Sequence, residues 1–320
     1  MVSVCIRAFD RRDELREAIA SVLAQTYRDF EVVVSDDSGR LAGVVERFRD
    51  PRVRYVANPS PSGPAGNLRW VVSQARGSVL AMLNDDDWWE PRFLETCVDV
   101  LERDPRVGVV FTDQWLFVAG RRIRHRFGYA PGRHDRFVRE VLEDGIPASA
   151  TVLRRSAFAP VPDGVVGDFF MCIQAASAGH AFQYVPEPLS VTRMHGGQGS
   201  WSEEGLPARM IATLAAFRFD DPACEALRRA RLGEQHLIRA GRLLRRGRLR
   251  EGWADLRRGR AAAAGSLSPA RAALALSGLR ELLMRRAASR PRLVALAFEQ
   301  WPRLRPPVLA PRARCRASRA

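Results

Sequence analysis

The chain contains no lysine: its 51 basic residues are all arginines, set against 36 aspartates and glutamates, for a net charge of +15 over 320 residues. A basic total of that size points toward nucleic acid or an anionic surface, yet exclusive use of arginine reads equally as a bias toward arginine and alanine. The charge is also confined. Residues 225–320 hold 24 arginines and 6 carboxylates, a local excess of +18, so residues 1–224 carry −3. Five cysteines (Cys5, Cys97, Cys172, Cys224, Cys315) show no CxxC spacing and an odd count, which argues against a zinc site or a disulfide framework and for a reducing compartment. No apolar run reaches the ~18 residues of a membrane span, and no charged leader precedes the strand-like residues 2–6, so a cytoplasmic protein, soluble or peripheral at the inner face of the membrane, is expected. At 46% hydrophobic residues the chain is neither disordered nor collagen-like, and its length allows one large core or a medium core with a smaller unit attached.

The residues that are present alternate in period. Residues 2–6 read as a buried strand, and Leu15, Ile19, Val22 and Leu23 then share one helix face at i, i+4, i+7 and i+8. Residues 30–35 form a second strand running into Asp36-Asp37. Apolar runs at 53–56, 79–83 and 107–112 alternate with helical stretches near 64–76 and 91–102. This predicts an α/β fold with a mainly parallel sheet and helices on both faces. After Thr112 the alternation loosens into an irregular segment with Gly120, Gly128, Pro131 and Gly132, expected as an acceptor-facing loop. From about Leu206 the chain turns Arg/Ala/Leu-rich. Leu232, His236, Ala240 and Leu243 fall on one face, and Trp253 and Leu256 follow Gly247, which predicts paired antiparallel helices in a basic helical region, 206–300. A Pro-rich tail, 301–320, is expected to be disordered. The catalytic part is then 1–205.

Two strand ends carry clustered carboxylates, and the carboxyl ends of strands are where open α/β sheets bind ligands. Asn84-Asp85-Asp86-Asp87-Trp88-Trp89 follows the strand at 79–83, and its hard oxygens suit Mg²⁺ or Mn²⁺ held together with phosphates. The same letters also describe a solvated acidic turn ahead of the helix at Pro91. Asp36-Asp37-Ser38-Gly39 ends another strand. A carboxylate there can accept the imide N–H of uracil or thymine, although Asp-Asp-Ser-Gly is also an ordinary turn.

In order and spacing, Val2-Ser3-Val4-Cys5-Ile6-Arg7-Ala8-Phe9-Asp10, Ser21-Val22-Leu23-Ala24-Gln25-Thr26-Tyr27 and Phe30-Glu31-Val32-Val33-Val34-Ser35-Asp36-Asp37-Ser38 resemble the opening of family 2 glycosyltransferases with the GT-A fold. Asn67-Leu68-Arg69-Trp70 and Ala75-Arg76-Gly77, leading into Leu83-Asn84-Asp85-Asp86-Asp87, resemble the family's middle section. Gly167-Asp168-Phe169-Phe170, Ala178-Gly179-His180 and Tyr184-Val185-Pro186-Glu187-Pro188-Leu189 with Arg193-Met194-His195 resemble its third. The resemblance covers about residues 1–202 and implies a GT-A type nucleotide-sugar-binding domain followed by an all-α region. It also implies roles: Asp37 on the donor base, Ala8 and Asp10 at the base or ribose, Asn67 in the donor site, and Asp85 facing donor sugar or ribose. Asp86 is implied as the metal ligand of the DXD motif, His195 as a residue near metal or pyrophosphate, and Asp168 as the catalytic base. The family usually has Pro-Thr-Tyr-Asn where this chain has Arg7-Ala8-Phe9-Asp10, and Asn84 stands at the first Asp of DXD.

The activity so implied is metal-dependent, inverting transfer of a hexosyl or deoxyhexosyl group from a UDP- or dTDP-sugar to a hydroxyl of a glycan, a lipid-linked glycan or a natural product, with Mg²⁺ or Mn²⁺ as cofactor. The basic helices are expected either at a membrane surface or in a homodimer. Nucleic acid is not expected, because aromatic residues are sparse among these arginines. Sugar-phosphate nucleotidylyltransferases share a similar sheet but need a Gly-rich loop after the first strand, and residues 7–12 contain no glycine. A nucleotide-sugar-binding scaffold without catalysis is the remaining alternative.

Overall fold

The computed structural model describes residues 1–59, 63–194 and 205–263. Its elements run β1 Val2–Ala8, α1 Arg12–Leu23, β2 Phe30–Asp36, α2 Ala42–Val45, β3 Val53–Ala57, α3 Gly63–Gln74, β4 Val79–Asn84, β5 Trp88–Trp89 and α4 Phe93–Arg103. They continue with β6 Val107–Val118, β7 Arg121–His125, β8 Gly132–His134, α5 Val138–Asp144, β9 Thr151–Arg154, α6 Gly167–Ser177 and β10 Ala181–Met194. Three helices close the described part: α7 Gly205–Ala215, α8 Pro222–Arg245 and α9 Leu249–Ala262. The sheet has the order β3-β2-β1-β4-β9-β6-β10-β5, with β7 added to β6 and β8 to β10. The β3-β2-β1-β4 half is parallel, as is β6 with β10, whereas β9 runs antiparallel to both β4 and β6.

Because side chains alternate across a strand, β1 feeds two cores. Val4, Ile6 and Ala8 pack with Leu15, Ile19 and Val22 of α1 and with Phe93 and Cys97 of α4. Cys5 packs on the opposite face with Leu68 and Val71 of α3 and Phe170 and Ile173 of α6. Glu31 ties the parallel strands to the loop ahead of β4: it accepts from Ser3 Oγ at 2.7 Å, the Arg76 N–H at 2.6 Å and Arg54 Nη2 at 3.0 Å. That loop carries Gly77, where a Cβ would lie 2.7 Å from the Ser3 nitrogen.

The stretch after Thr112 is not an irregular loop. β6 continues to Val118, reverses at Ala119 (φ 45°) and Gly120 (φ 78°), and returns as β7. Two positive φ values in a two-residue turn match the twist of a hairpin, and no alternation of hydrophobic residues marks that reversal in advance.

Helix α7 starts at Gly205, and packing crosses from it into the preceding part of the chain. Leu214 and Leu227 belong to the same core as Val165 and Phe170, the Val166 N–H donates to Thr213 Oγ1 at 2.9 Å, and the Phe170 and Phe217 rings meet at 4.9 Å. Asp221 caps α8 by accepting from the Ala223 and Cys224 N–H groups, with Pro222 at the first helical position, a combination that stabilises a helix start by about 1 kcal/mol. Helices α8 and α9 form the predicted pair and approach closely through glycine: a Cβ on Gly233 would lie 2.8 Å from the Gly259 carbonyl oxygen. Between them the buried Asp255 accepts from Arg239 Nη1 at 2.9 Å and lies 3.1 Å from His236 Nδ1. Trp253 points outward and is 57% exposed. The expected tail at 301–320 lies outside the described residues.

Candidate active site

Strands β2, β1 and β4 are parallel neighbours, so their carboxyl ends lie side by side. The register pairs Ala8 with Asp36 and Arg7 with Asn84. Residues immediately beyond these ends, Phe9, Asp37 and Asp85, therefore share one edge of the sheet, the crevice in which open α/β sheets bind ligands.

The aspartate triplet after β4 is no solvated turn: Asp85, Asp86 and Asp87 are 3%, 5% and 2% exposed. Asp85 accepts from the Phe9 N–H at 2.8 Å and from Arg11 Nη1 at 2.8 Å. The same Arg11 nitrogen lies 3.2 Å from Asp86 Oδ2. Burial raises the Asp85 carboxyl to about 6, with Arg11 pulling it down and the Asp86 charge pushing it up. Asp87 is enclosed more completely. It accepts from Ser149 Oγ at 2.6 Å, Asn84 Nδ2 at 3.0 Å and the Arg193 N–H at 3.0 Å, and burial followed by the neighbouring Asp86 charge pushes its carboxyl up. Ser149 also receives the Asn84 N–H through its hydroxyl and Trp89 Nε1 through its carbonyl. Arg193 donates from Nε to the Asp86 carbonyl, pairs with Glu17, and lies 4.9 Å over the Trp88 ring. The two departures from the family pattern meet each other, since Arg7 Nη2 donates to Asn84 Oδ1 at 2.5 Å.

Asp37 is 6% exposed and accepts from Asn58 Nδ2 at 2.7 Å and from the Gly63 N–H, at the start of α3, at 2.9 Å. Asp36 instead fixes the loop after β2, accepting from the Ser38 and Leu41 N–H groups and from the Tyr55 hydroxyl. Asn67, expected at the donor, commits its amide to strand ends, accepting from Ser35 Oγ and donating to the Ala8 and Ser35 carbonyls at 3.4 Å. Ala8 is buried, and its carbonyl also receives the Asp37 N–H at 3.0 Å. Asp10 adopts a left-handed φ of 57° and pairs with Arg40 at 2.7 Å. Phe9, between them, is 57% exposed.

Asp168 sits in the first turn of α6. Its own side chain does not cap that helix, whose N-cap is Val166 with no side-chain hydrogen bond. The Asp168 side chain is half-buried and has no hydrogen-bond partner among the described residues. Gly167 lets the turn press on α3, since a Cβ there would lie 2.9 Å from Leu68 Cδ2. Asp37 holds the start of α3 and Asp168 opens the helix packed against it. His195 lies outside the described residues.

Among the described residues no three His, Cys, Asp or Glu side chains converge as a ligand set. Asn84 Oδ1 faces Arg7, Asp87 is enclosed by its donors, and Asp85 serves Phe9 and Arg11. A cation of the Mg²⁺ type is bound through one or two carboxylates together with substrate phosphates; Asp86, the carboxylate implied for that role, stands in this buried cluster 3.2 Å from Arg11 Nη1. Sequence reasoning missed Arg11, Ser149 and the Arg193 backbone as partners of the triplet. Arg11 and Arg193 lie inside or beside stretches that carry the resemblance, but Ser149 has no local signal at all.

A mixed sheet with a parallel nucleotide-binding half and acidic strand ends defines the GT-A class of nucleotide-sugar-binding folds. The profile of Glycosyl transferase family 2 matches residues 3–160, and the chain belongs to that family. An Escherichia coli relative, UDP-Glc:alpha-D-GlcNAc-diphosphoundecaprenol beta-1,3-glucosyltransferase WfaP, is 26% identical over 106 residues, 32% of this chain and 42% of the relative. The putative glycosyltransferase EpsE of Bacillus subtilis (strain 168) is 30% identical over 155 residues, 47% of this chain and 52% of the relative. The match thus spans about half the length, or less, of these curated relatives. In fold, the chain is similar to S. aureus TarS in complex with UDP-GlcNAc, with a TM-score of 0.64 at 17% identity, covering 94% of this chain and 92% of that one. It is also similar to the mannosyltransferase PcManGT from Pyrobaculum calidifontis in complex with GDP-Man and Mn²⁺, with a TM-score of 0.57 at 20% identity, covering 95% and 88%.

Proposed function

We propose that this chain transfers a sugar from a nucleotide-diphosphate donor, a UDP- or dTDP-hexose or deoxyhexose, to a hydroxyl group with inversion at the anomeric carbon. The observation that carries the reading is the crevice at the ends of parallel strands on either side of β1, where Asp37 follows β2 and Asp85 and Asp86 follow β4, beside a helix whose first turn offers an uncommitted Asp168. Asp37 accepts the imide N–H of the base, and the exposed Phe9 ring offers it an apolar face. Asp86 would hold Mg²⁺ or Mn²⁺ together with the donor diphosphate, and His195 is implied near that ion by resemblance alone. When bound, the ion stabilises negative charge on the leaving nucleotide.

Asp168 takes the acceptor proton as the acceptor oxygen bonds to the anomeric carbon and the bond to the diphosphate oxygen breaks on the opposite side. A carboxylate that is not engaged by a protein donor is suited to this, because its oxygens are free to accept from the incoming hydroxyl. Relatives whose names specify diphosphoundecaprenol acceptors support a lipid-linked glycan as acceptor, and with it polysaccharide assembly at the cytoplasmic face of a membrane. The decisive variant is Asp168→Asn, nearly identical in shape but no base. Turnover is expected to fall about 10²- to 10⁴-fold while donor affinity stays near wild type. Unchanged turnover rejects the assignment.

A further inference from the structure

Among the described residues only four large hydrophobic side chains are strongly exposed, and two of them, Leu249 and Trp253, lie on one helix at 57% exposure each. Their i, i+4 spacing puts them side by side on the outer face of α9. Around Trp253 on the same helix stand Arg250 at i−3 and Arg257 at i+4, both exposed, and the half-buried Leu256 at i+3. The turn that brings α8 into α9 is Arg245-Arg246-Gly247-Arg248, exposed throughout. Residues 245–260 contain seven arginines and two carboxylates. One of those carboxylates, Asp255, is buried against α8, and the other, Glu251, is paired with Arg248. The inner face of α9 is already filled by glycine contacts with α8, so Leu249 and Trp253 are not part of the helix pair's own seam.

We propose that the outer face of α9 and the adjoining α8–α9 turn dock on an anionic lipid bilayer, with Leu249 and Trp253 entering the headgroup boundary and the arginines facing lipid phosphates. A tryptophan and a leucine ringed by arginines on a helix that does not span are the composition of an interfacial helix. Charge complementarity selects the occupant: a second copy of this face would set arginine against arginine, whereas an anionic bilayer presents the opposite charge to the exposed Arg250 and Arg257. No helix among the described residues is long and apolar enough to cross a membrane, so attachment through this face is peripheral. The inference goes beyond the transfer reaction and does not need the lipid-linked acceptor to hold.

The test is co-sedimentation of the full chain with vesicles of phosphatidylcholine alone or with added phosphatidylglycerol, together with tryptophan quenching by brominated lipid. The chain is expected to bind the phosphatidylglycerol vesicles at low salt and to release in high salt. Trp253→Phe is expected to remove most of the quenching. Leu249→Ala with Trp253→Ala is expected to weaken partitioning about tenfold or more, and Arg250→Ala or Arg257→Ala about fivefold each. Circular dichroism and donor hydrolysis at wild-type levels show that these variants remain folded and active, which separates failure of docking from failure of the transfer reading. Equal binding of the Leu249/Trp253 double variant, quenching that survives in Trp253→Phe, or a loss traced to self-association measured by light scattering overturns the proposal.

Discussion

Replacing Arg11 by glutamine tests how the negative charge of the aspartate cluster is offset. The Arg11 side chain is 28% exposed, whereas the carboxylates it meets, Asp85 at 2.8 Å and Asp86 at 3.2 Å, are 4% and 7% exposed. Removing one partner of a buried pair costs about 3–5 kcal/mol, because the remaining charge is left in a poorly solvated place. Here the cost is expected at or below the low end, about 2–3 kcal/mol, since water reaches Arg11 and the Phe9 N–H still serves Asp85. The vacated carboxylates then become a better cation site, because Mn²⁺ no longer competes with a guanidinium. Urea unfolding is expected to show the loss in chelator and to show it shrinking as Mn²⁺ is added. Titration calorimetry without nucleotide is expected to give about tenfold tighter Mn²⁺ binding than wild type, an advantage that stabilises the variant by linkage. Equal destabilisation with and without Mn²⁺, combined with unchanged Mn²⁺ affinity, refutes the reasoning.

Asp86→Ala is expected to abolish most turnover and the metal-dependent part of nucleotide binding, checked by donor hydrolysis and thermal shift with and without Mn²⁺; full activity of the wild type in EDTA counts against this role. The Glu31 carboxyl is raised by burial but lowered more by hydrogen bonds from Ser3, the Arg76 N–H and Arg54, ending below its ordinary value of 4.5. Its stabilising contribution is therefore present above pH 4.5 and lost as pH falls through the lowered folded value. Urea midpoints of Glu31→Gln are expected to lie below wild type at pH 7 and to converge with it in acid. Gly77→Ala places a Cβ 2.7 Å from the Ser3 nitrogen and 2.8 Å from the Met1 carbonyl oxygen. Both are backbone atoms that cannot rotate away, so a loss of about 1–3 kcal/mol is expected in the same assay.

Much of this architecture was legible because it is written in local periodicity. The runs that became β1 and β2 are rich in β-branched residues, that of β4 is apolar, and Leu15, Ile19 and Val22 repeat at the helical period, so each segment's state follows from its own residues. The acidic strand ends were legible for the same reason: Asp37 and Asp85 directly follow those runs. What a side chain touches is another matter, because its partners come from distant segments. Asp87 is held by Ser149, 62 positions away, and by the Arg193 backbone, 106 positions away, which turns an apparent acidic turn into a buried cluster. Asn67 serves the ends of β1 and β2, and the reversal at Ala119-Gly120 extends the sheet where the pattern pointed to a loop. The glycines at 233, 252 and 259 draw α8 and α9 together on one face and leave Trp253 outside, which no local pattern announces. Short-range sterics and burial period set which segments are strands and helices and which strand ends are acidic, so those features can be read residue by residue. Which charges meet emerges only in the folded chain, because it depends on how strands far apart in the chain are ordered in the sheet.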